Sequence, residues 1–137
     1  MPRFGVTGFA LVLAGLVFGS ERPPAASWSF DRPGGTDEIR GFQKFVPGIA
    51  GQGLRFDGQT TAVVRAAAWA PRLGGGFSIE AWVAIQTYPW TWCAVVNQEK
   101  DRKEGYFFGI DPEGCFGLHL PVDGQWQESR SDVRLPL

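Results

Sequence analysis

The stretch Phe77-Ser-Ile-Glu-Ala-Trp-Val-Ala-Ile85 predicts a β-strand, and its pattern decides the fold class of the chain. Apolar side chains recur at every second position from Phe77 to Ile85, as they do on a strand that buries one face in a core. The opposite face carries Ser78, Glu80 and Trp82, so it combines an indole with a carboxylate. We therefore expect a central strand whose neighbours come from the segments on both sides.

Short alternating segments, bounded by glycine and proline, flank this stretch and predict about nine strands with almost no helix. One helical turn is expected at 66–70, because an alanine run precedes Trp69 and Pro71 ends the turn. Many short strands are typical of a β-sandwich built from antiparallel sheets. The expected strands are 27–31, 42–46, 51–56, 61–65, 77–85, 92–98, 106–110, 115–120 and 126–129.

Three turn sequences indicate how the strands connect. Asp57-Gly58 predicts a hairpin between 51–56 and 61–65, and Asp123-Gly124 predicts another. Asp111-Pro-Glu-Gly114 predicts a four-residue turn with proline at its second position. Both faces of that hairpin are apolar or aromatic, so it is either buried on both sides or carries a binding surface. The expected register pairs Ile110 with Cys115, Phe108 with Gly117 and Tyr106 with His119 on one face, opposite Phe107, Gly109, Phe116 and Leu118.

Composition indicates a single globular unit. The 137 residues fit one domain with a substantial core, and an aromatic content of 14% argues against disorder. The formal net charge is −1 and no basic stripe is present, which excludes nucleic acid as a partner.

The N-terminus has the pattern of a secretory signal peptide. Arg3 precedes an uncharged, mostly apolar run at 4–18, and small residues follow it. The alternative is an uncleaved membrane anchor, although the run is shorter than the roughly 20 residues of a membrane span. The predicted division is a signal peptide at 1–19, a linker at 20–26 and a secreted domain at 27–137.

The two cysteines, Cys93 and Cys115, would meet an oxidising compartment after secretion. The expected strand order places 106–110 between them, which separates the two residues by two strand spacings, roughly 9.5 Å. A disulfide requires Cα atoms within about 7 Å. We therefore expect free, buried thiols, with a disulfide as the alternative.

The sequence contains no recognisable catalytic centre. His119 is the single histidine, no Gly-x-Ser-x-Gly sequence is present, and one histidine with two separated cysteines does not make a zinc site. Glu80 is the only carboxylate within an apolar strand, whereas a glycosidase needs two flanking carboxylates. We therefore predict a non-enzymatic protein with no metal and no cofactor. Calcium at the rim of a sandwich is an alternative that no calcium-loop pattern supports.

The segment Tyr88-Pro-Trp-Thr-Trp92 is the best candidate for contacting a ligand. Trp90 and Trp92 lie on one side of an extended chain, where aromatic faces are suited to stack on sugar rings. The alternative is that both tryptophans close one end of the core, and His119 likewise fits a packed strand residue. The predicted ligand-binding residues are Glu80, Trp82, Tyr88, Trp90, Trp92, Tyr106 and His119.

Four blocks of sequence point to a known family. They are Trp28-Ser-Phe30-Asp31, Gly51-Gln-Gly-Leu-Arg-Phe-Asp-Gly58, Phe77-Ser-Ile-Glu-Ala-Trp-Val83, and Gly105-Tyr-Phe-Phe-Gly-Ile110 with Gly114. In order and spacing these blocks resemble the laminin-G-like domains of the concanavalin A-like lectin/glucanase fold, over about residues 27–137. The resemblance implies an antiparallel two-sheet jelly-roll sandwich with a concave face.

The same resemblance implies a function, since such domains are commonly non-catalytic modules of secreted or surface proteins. We expect a secreted module that binds carbohydrate. The alternatives are the first part of a secreted glycoside hydrolase, with Glu80 as one acid, and an adhesion module whose partner is an extracellular protein. The family's later Trp-x-His-Val-Ala-like strand and last hairpin have no counterpart here, so we expect a jelly roll that is incomplete at its C-terminus.

Overall fold

The computed structural model describes residues 23–31, 37–71 and 75–137, and within them the chain is all-β with antiparallel sheets. The all-β class and the antiparallel pairing are as predicted, whereas the predicted signal peptide at 1–19 lies outside the described residues. Among these residues no helix has the length and apolarity needed to cross a bilayer. The elements are β1 (Glu38–Arg40), β2 (Lys44–Pro47), β3 (Gln52–Arg55), β4 (Ala62–Val64), a 3₁₀ turn (Ala67–Trp69), β5 (Cys93–Asn97), β6 (Phe107–Ile110), β7 (Cys115–Val122) and β8 (Gln125–Arg134).

Strands β5 to β8 form a four-stranded meander in which each strand pairs with the next along the chain. The buried apolar residues concentrate on its two middle strands, at Ile110 and Cys115, and at Tyr106 just before β6. Leu54 of β3 is the further buried apolar residue of the described chain. The core therefore sits on β6 and β7, because these strands are paired at both edges.

The β6–β7 hairpin differs from the predicted one by a single residue. The Asp111 amide donates to the Cys115 carbonyl at 3.0 Å, so the loop is Pro112 to Gly114. Gly114 has a φ of 84°, the left-handed conformation that closes a three-residue hairpin loop with a bulge. Because side chains alternate with period two, this shift exchanges the faces of one strand, and the predicted register is wrong. The observed pairs are Phe107–His119, Phe108–Leu118, Gly109–Gly117 and Ile110–Phe116.

The β7–β8 hairpin confirms the turn predicted at Asp123-Gly124. Val122 pairs with Gln125, so the loop has two residues. Their φ values are 51° and 74°. Positive φ at both central positions defines the type I′ turn, whose twist matches that of the flanking strands.

The N-terminal strands form two separate ribbons, β1 with β4 and β2 with β3, so the predicted hairpin between 51–56 and 61–65 is wrong. The Asp57 carboxylate instead folds the loop onto itself by accepting a hydrogen bond from the Thr60 hydroxyl. It also accepts hydrogen bonds of 2.8 to 3.0 Å from the amides of Gln59, Thr60 and Thr61. These hydrogen bonds hold the pKa of Asp57 far below its ordinary value, and the one from the Thr60 hydroxyl contributes more than those from the amides.

The first predicted strand, 27–31, is irregular, and its side chains rather than its backbone connect it to the ribbons. The Arg65 guanidinium lies 4.5 Å from the centre of the Trp28 ring and pairs with the Asp37 carboxylate at 2.8 Å. The Asp31 carboxylate accepts the amide of the first β3 residue at 2.9 Å. Trp28 and Asp31 therefore hold this segment through side-chain contacts, whereas a predicted strand would be held by backbone hydrogen bonds.

The stretch 77–85, predicted as the central strand, belongs to no sheet of the described chain. From 76 to 85 the backbone runs without a turn or a bend, and no non-glycine residue there has a positive φ. It forms no backbone hydrogen bond with any described residue. Its odd positions are half-buried at both ends but exposed at Ala81 and Val83. The central-strand prediction is therefore wrong: alternation specifies an apolar face, but a ladder also requires a neighbouring backbone.

Candidate ligand-binding site

An open depression of about 680 Å³ lies between the straight segment 77–85 and the four-stranded sheet. Its volume falls in the range of about 300 to 1,000 Å³ that is usual for small-molecule sites. The lining combines side chains from the segment with aromatic side chains of the two middle strands: Ile79, Glu80, Ala81, Trp82, Phe108 and Phe116.

Two stacked phenylalanines form the floor of the depression. Phe108 of β6 and Phe116 of β7 are diagonal neighbours on one face of the sheet, because Phe108 pairs with Leu118 and Ile110 pairs with Phe116. Their ring centroids are 5.4 Å apart and the planes are inclined by 15°. An offset stack of this kind gives the site a flat, apolar base.

The segment 77–85 forms the wall, and its two ends are held differently from its middle. The Phe77 ring packs against Tyr106 with centroids 5.2 Å apart, which anchors the start of the segment on the sheet. Further along, Trp82 is 85% exposed and Glu80 is exposed as well. Glu80 forms no hydrogen bond or ion pair with the described residues, so its carboxylate is available to hydroxyl donors of a ligand.

The opposite face of the sheet carries a packed aromatic cluster. The Trp92 ring lies edge-on to His119 and to Phe107, with centroid distances of 4.5 and 6.0 Å. It covers Gly117, where a Cβ atom would overlap the six-membered ring of the indole. Trp92 therefore packs on the core, as the alternative interpretation of this tryptophan expects, and the proposed ligand site lies on the other side of the sheet.

His119 belongs to this cluster and is buried among its rings. The side chain is 5% exposed and stacks on Phe107 with centroids 5.1 Å apart. Its Nε2 atom is buried and has no hydrogen-bond partner among the described residues. Surrounded by rings and closed from the depression by the sheet itself, His119 fits the packed strand residue that was the alternative to ligand contact.

Tyr88 and Tyr106 are both committed to packing. The Tyr88 hydroxyl donates to the Leu135 carbonyl at 2.6 Å, and the Arg134 guanidinium lies 4.3 Å from the centre of its ring. Tyr106 is 7% exposed, and this burial raises the pKa of its phenol. Trp90, by contrast, is 90% exposed, so the two tryptophans of 88–92 have different environments.

The depression brings together two of the seven predicted site residues, Glu80 and Trp82. Trp90 is exposed but does not line the depression, and the other four are packed in the places described above. Phe108 and Phe116 were missed as site residues. Their aromatic character was visible in the sequence, but the predicted register placed them on opposite faces of the hairpin.

The turn next to this floor is held by a buried carboxylate. Asp111 is 2% exposed and accepts the amides of Glu113 and Cys115 at 2.9 and 2.8 Å. Arg130 of β8 pairs with it and also with Glu113, the latter at 3.3 Å. Desolvation pushes the pKa of Asp111 upward, but the Cys115 amide, Arg130 and the Glu113 amide outweigh it, so the pKa lies below its ordinary value.

The cysteines and acids form no metal or disulfide site in the part of the chain that the structure covers. Cys93 and Cys115 are both free, and β6 lies between their strands as expected. Cys115 is buried as predicted, but Cys93 is exposed, which corrects the prediction for that residue. Among the described residues no three histidine, cysteine or acidic side chains are grouped to hold a metal ion.

The chain matches no family model, no curated protein and no solved structure. The site is therefore interpreted from its own geometry. That geometry is a flat aromatic floor beside a segment with an exposed indole, a carboxylate and backbone groups, and the described residues pair neither the carboxylate nor the backbone groups.

Proposed function

We propose that this protein is a secreted, non-catalytic binding module of the laminin-G-like jelly-roll type, and that its ligand is carbohydrate. The observation that supports this most directly is the exposed Trp82 indole next to the Glu80 carboxylate, both beside the depression whose floor is formed by Phe108 and Phe116. A pyranose ring has one face of C–H groups and a rim of hydroxyls. The indole can stack on the C–H face, and the carboxylate can accept hydrogen bonds from the hydroxyls.

The backbone of the wall strengthens the case for a hydroxyl-rich ligand. Residues 77–85 form no backbone hydrogen bond with described residues, so amide and carbonyl groups remain available beside Trp82. Backbone groups are strong donors and acceptors. A sugar with hydroxyls on several carbons can use both, whereas a purely apolar ligand would leave them unsatisfied.

The lining of the depression supports a non-catalytic module. Glu80 is the single titratable side chain among the described residues that line the depression. Glycoside hydrolysis requires a pair of carboxyl groups about 5 to 10 Å apart. The proposed module therefore binds a glycan and leaves its glycosidic bonds intact.

The test is a screen of neutral and acidic oligosaccharides on an array, followed by calorimetric titration of the tightest one. Trp82→Ala should weaken binding about tenfold, because one aromatic contact contributes about 0.5 to 1.5 kcal/mol beyond its buried area. Trp69→Ala is the matched control, since Trp69 is 66% exposed and does not line the depression. Equal losses in the two variants, no oligosaccharide bound, or hydrolysis of the bound sugar would each reject the proposal.

A further inference from the structure

The straight segment 77–85 has the features of a β-strand except a backbone partner among the described residues. It contains no turn or bend, no non-glycine residue in it has a positive φ, and neither of its edges forms a backbone hydrogen bond with a described residue. Native proteins usually cover, bulge or charge such an edge, because unpaired amide and carbonyl groups attract another strand. Here the segment carries one charge, Glu80, and the next charged residue along the chain is Glu99.

From these observations we propose that the segment pairs with the same segment of a second copy of this chain, antiparallel and centred on Ala81. A two-fold axis perpendicular to such a pair keeps each side chain on its own face, so a residue faces one of the same parity. With Ala81 at the centre, the full length of 77–85 is matched. The apolar face then pairs Phe77 with Ile85 and Ile79 with Val83 of the other copy.

The outer face selects this register over its neighbours. Centring on Ala81 places Glu80 opposite Trp82 of the other copy, and Ser78 opposite Ala84, so no like charges meet. A shift that centres the pair on Glu80 would oppose two carboxylates, which is destabilising. A shift to Trp82 would leave Phe77 beyond the end of the paired stretch. The charge of Glu80 and the length of the paired stretch together therefore favour the alignment centred on Ala81.

This pairing goes beyond glycan binding but is compatible with it. Pairing uses one backbone edge of the strand, so the amide and carbonyl groups of the other edge remain available to a sugar, and the side chains of Glu80 and Trp82 keep their places on the outer face. In the proposed alignment each copy places its indole beside the carboxylate of the other. A dimer would thus hold two of the proposed binding platforms side by side, although the dimer itself needs no ligand.

The experiment measures the oligomeric state of the full chain by sedimentation across a concentration series, with three double variants. Ser78→Lys with Ala84→Lys places like charges opposite each other at two points of the dimer, and should weaken dimerisation about tenfold. Ser78→Glu with Ala84→Lys makes the same contacts attractive and should restore dimerisation to the level of the unsubstituted chain. Ala67→Lys with Ala68→Lys adds the same charge as the first variant at exposed positions elsewhere and should change nothing.

Hydrogen exchange gives a second readout at the segment itself. Alternate amides of 78–84, those that point to the paired edge, should become protected as the dimer forms, and the protection should disappear in the Ser78→Lys, Ala84→Lys variant. A monomer at every concentration, or a dimer that the two lysines leave unchanged, would overturn the proposal. Because no sugar is present, these outcomes are independent of whether the protein binds glycan.

Discussion

The β6–β7 hairpin and the segment 77–85 are both rich in apolar residues and have different structural environments. The segment is apolar on one face and the hairpin on both, and each contains aromatic side chains. In the hairpin each strand has a neighbour on both sides, and Tyr106, Ile110 and Cys115 are buried. In the segment the middle residues are exposed and no described backbone pairs with them. Alternation thus makes a strand possible, and pairing decides how much of it is buried.

Two tryptophans show the largest consequence of this difference. Trp92 packs over Gly117 on the paired sheet, so Trp92→Ala should lower the free energy of unfolding by about 3 kcal/mol. Trp82 belongs to the segment 77–85 and is 85% exposed, so Trp82→Ala should change the free energy of unfolding by less than about 0.5 kcal/mol. Urea denaturation at low protein concentration, followed by circular dichroism, measures both values. Similar losses would mean that the segment is packed as tightly as the sheet.

Gly117 and Gly53 should show a similar difference between packed and open positions, with a smaller change in stability. A Cβ atom at Gly117 would overlap the Trp92 ring, so Gly117→Ala should cost about 1 to 3 kcal/mol of stability and alter the tryptophan fluorescence. Gly53 of β3 has open space around the corresponding position and serves as the control. The expected outcome is a lower urea midpoint for Gly117→Ala alone. An unchanged midpoint would show that the indole moves away without loss.

The smallest effect concerns pH and is confined to the turn of the hairpin. Because the pKa of Asp111 is lower in the folded state, the unfolded state binds its proton more readily. The stabilisation is therefore complete above the unfolded pKa of about 3.9 and is lost as the pH falls through the lower, folded value. Urea midpoints measured between about pH 6 and pH 3 should decline less steeply in Asp111→Asn.

Asp123, at the other turn of the sheet, offers the matched control for this titration. Its side chain makes no hydrogen bond or ion pair with the described residues, so Asp123→Asn should keep the pH dependence of the unsubstituted chain. If the two asparagine variants behave alike, the acid sensitivity arises elsewhere, and the strongly hydrogen-bonded Asp57 would be the next residue to test.

The accuracy of the sequence-based predictions depended on how locally each feature was determined. The Asp123-Gly124 turn was predicted correctly, because two consecutive residues with positive φ carry the information. The Asp111–Gly114 turn was placed correctly, but its register was wrong by one residue. The bulge at Gly114 depends on the backbone hydrogen bond between Asp111 and Cys115, which the turn sequence alone does not specify. In the predicted register Phe108 and Phe116 lay on opposite faces of the hairpin, so the floor of the candidate site was not predicted.

Longer-range features were predicted less well for the same reason. The turn at Asp57-Gly58 was expected to join two strands, but its carboxylate satisfies the following amides, and both strands pair with other partners. Glu80 and Trp82 were predicted from their unusual place on an apolar strand, and both line the depression. The assignment of Trp92 and His119 to packing needed the actual faces of the sheet.

The sequence by itself determined that this chain forms strands rather than helices, where two of its tight turns lie, and that Phe77 to Ile85 has one apolar face. These properties depend on side-chain periodicity and on local φ preferences, which act over a few residues. The tertiary structure alone decided which strands pair, which face holds His119, and that the most regular stretch has no partner among the described residues. Pairing joins residues far apart in the chain, and its free energy depends on what lies opposite, which a single stretch of sequence does not contain.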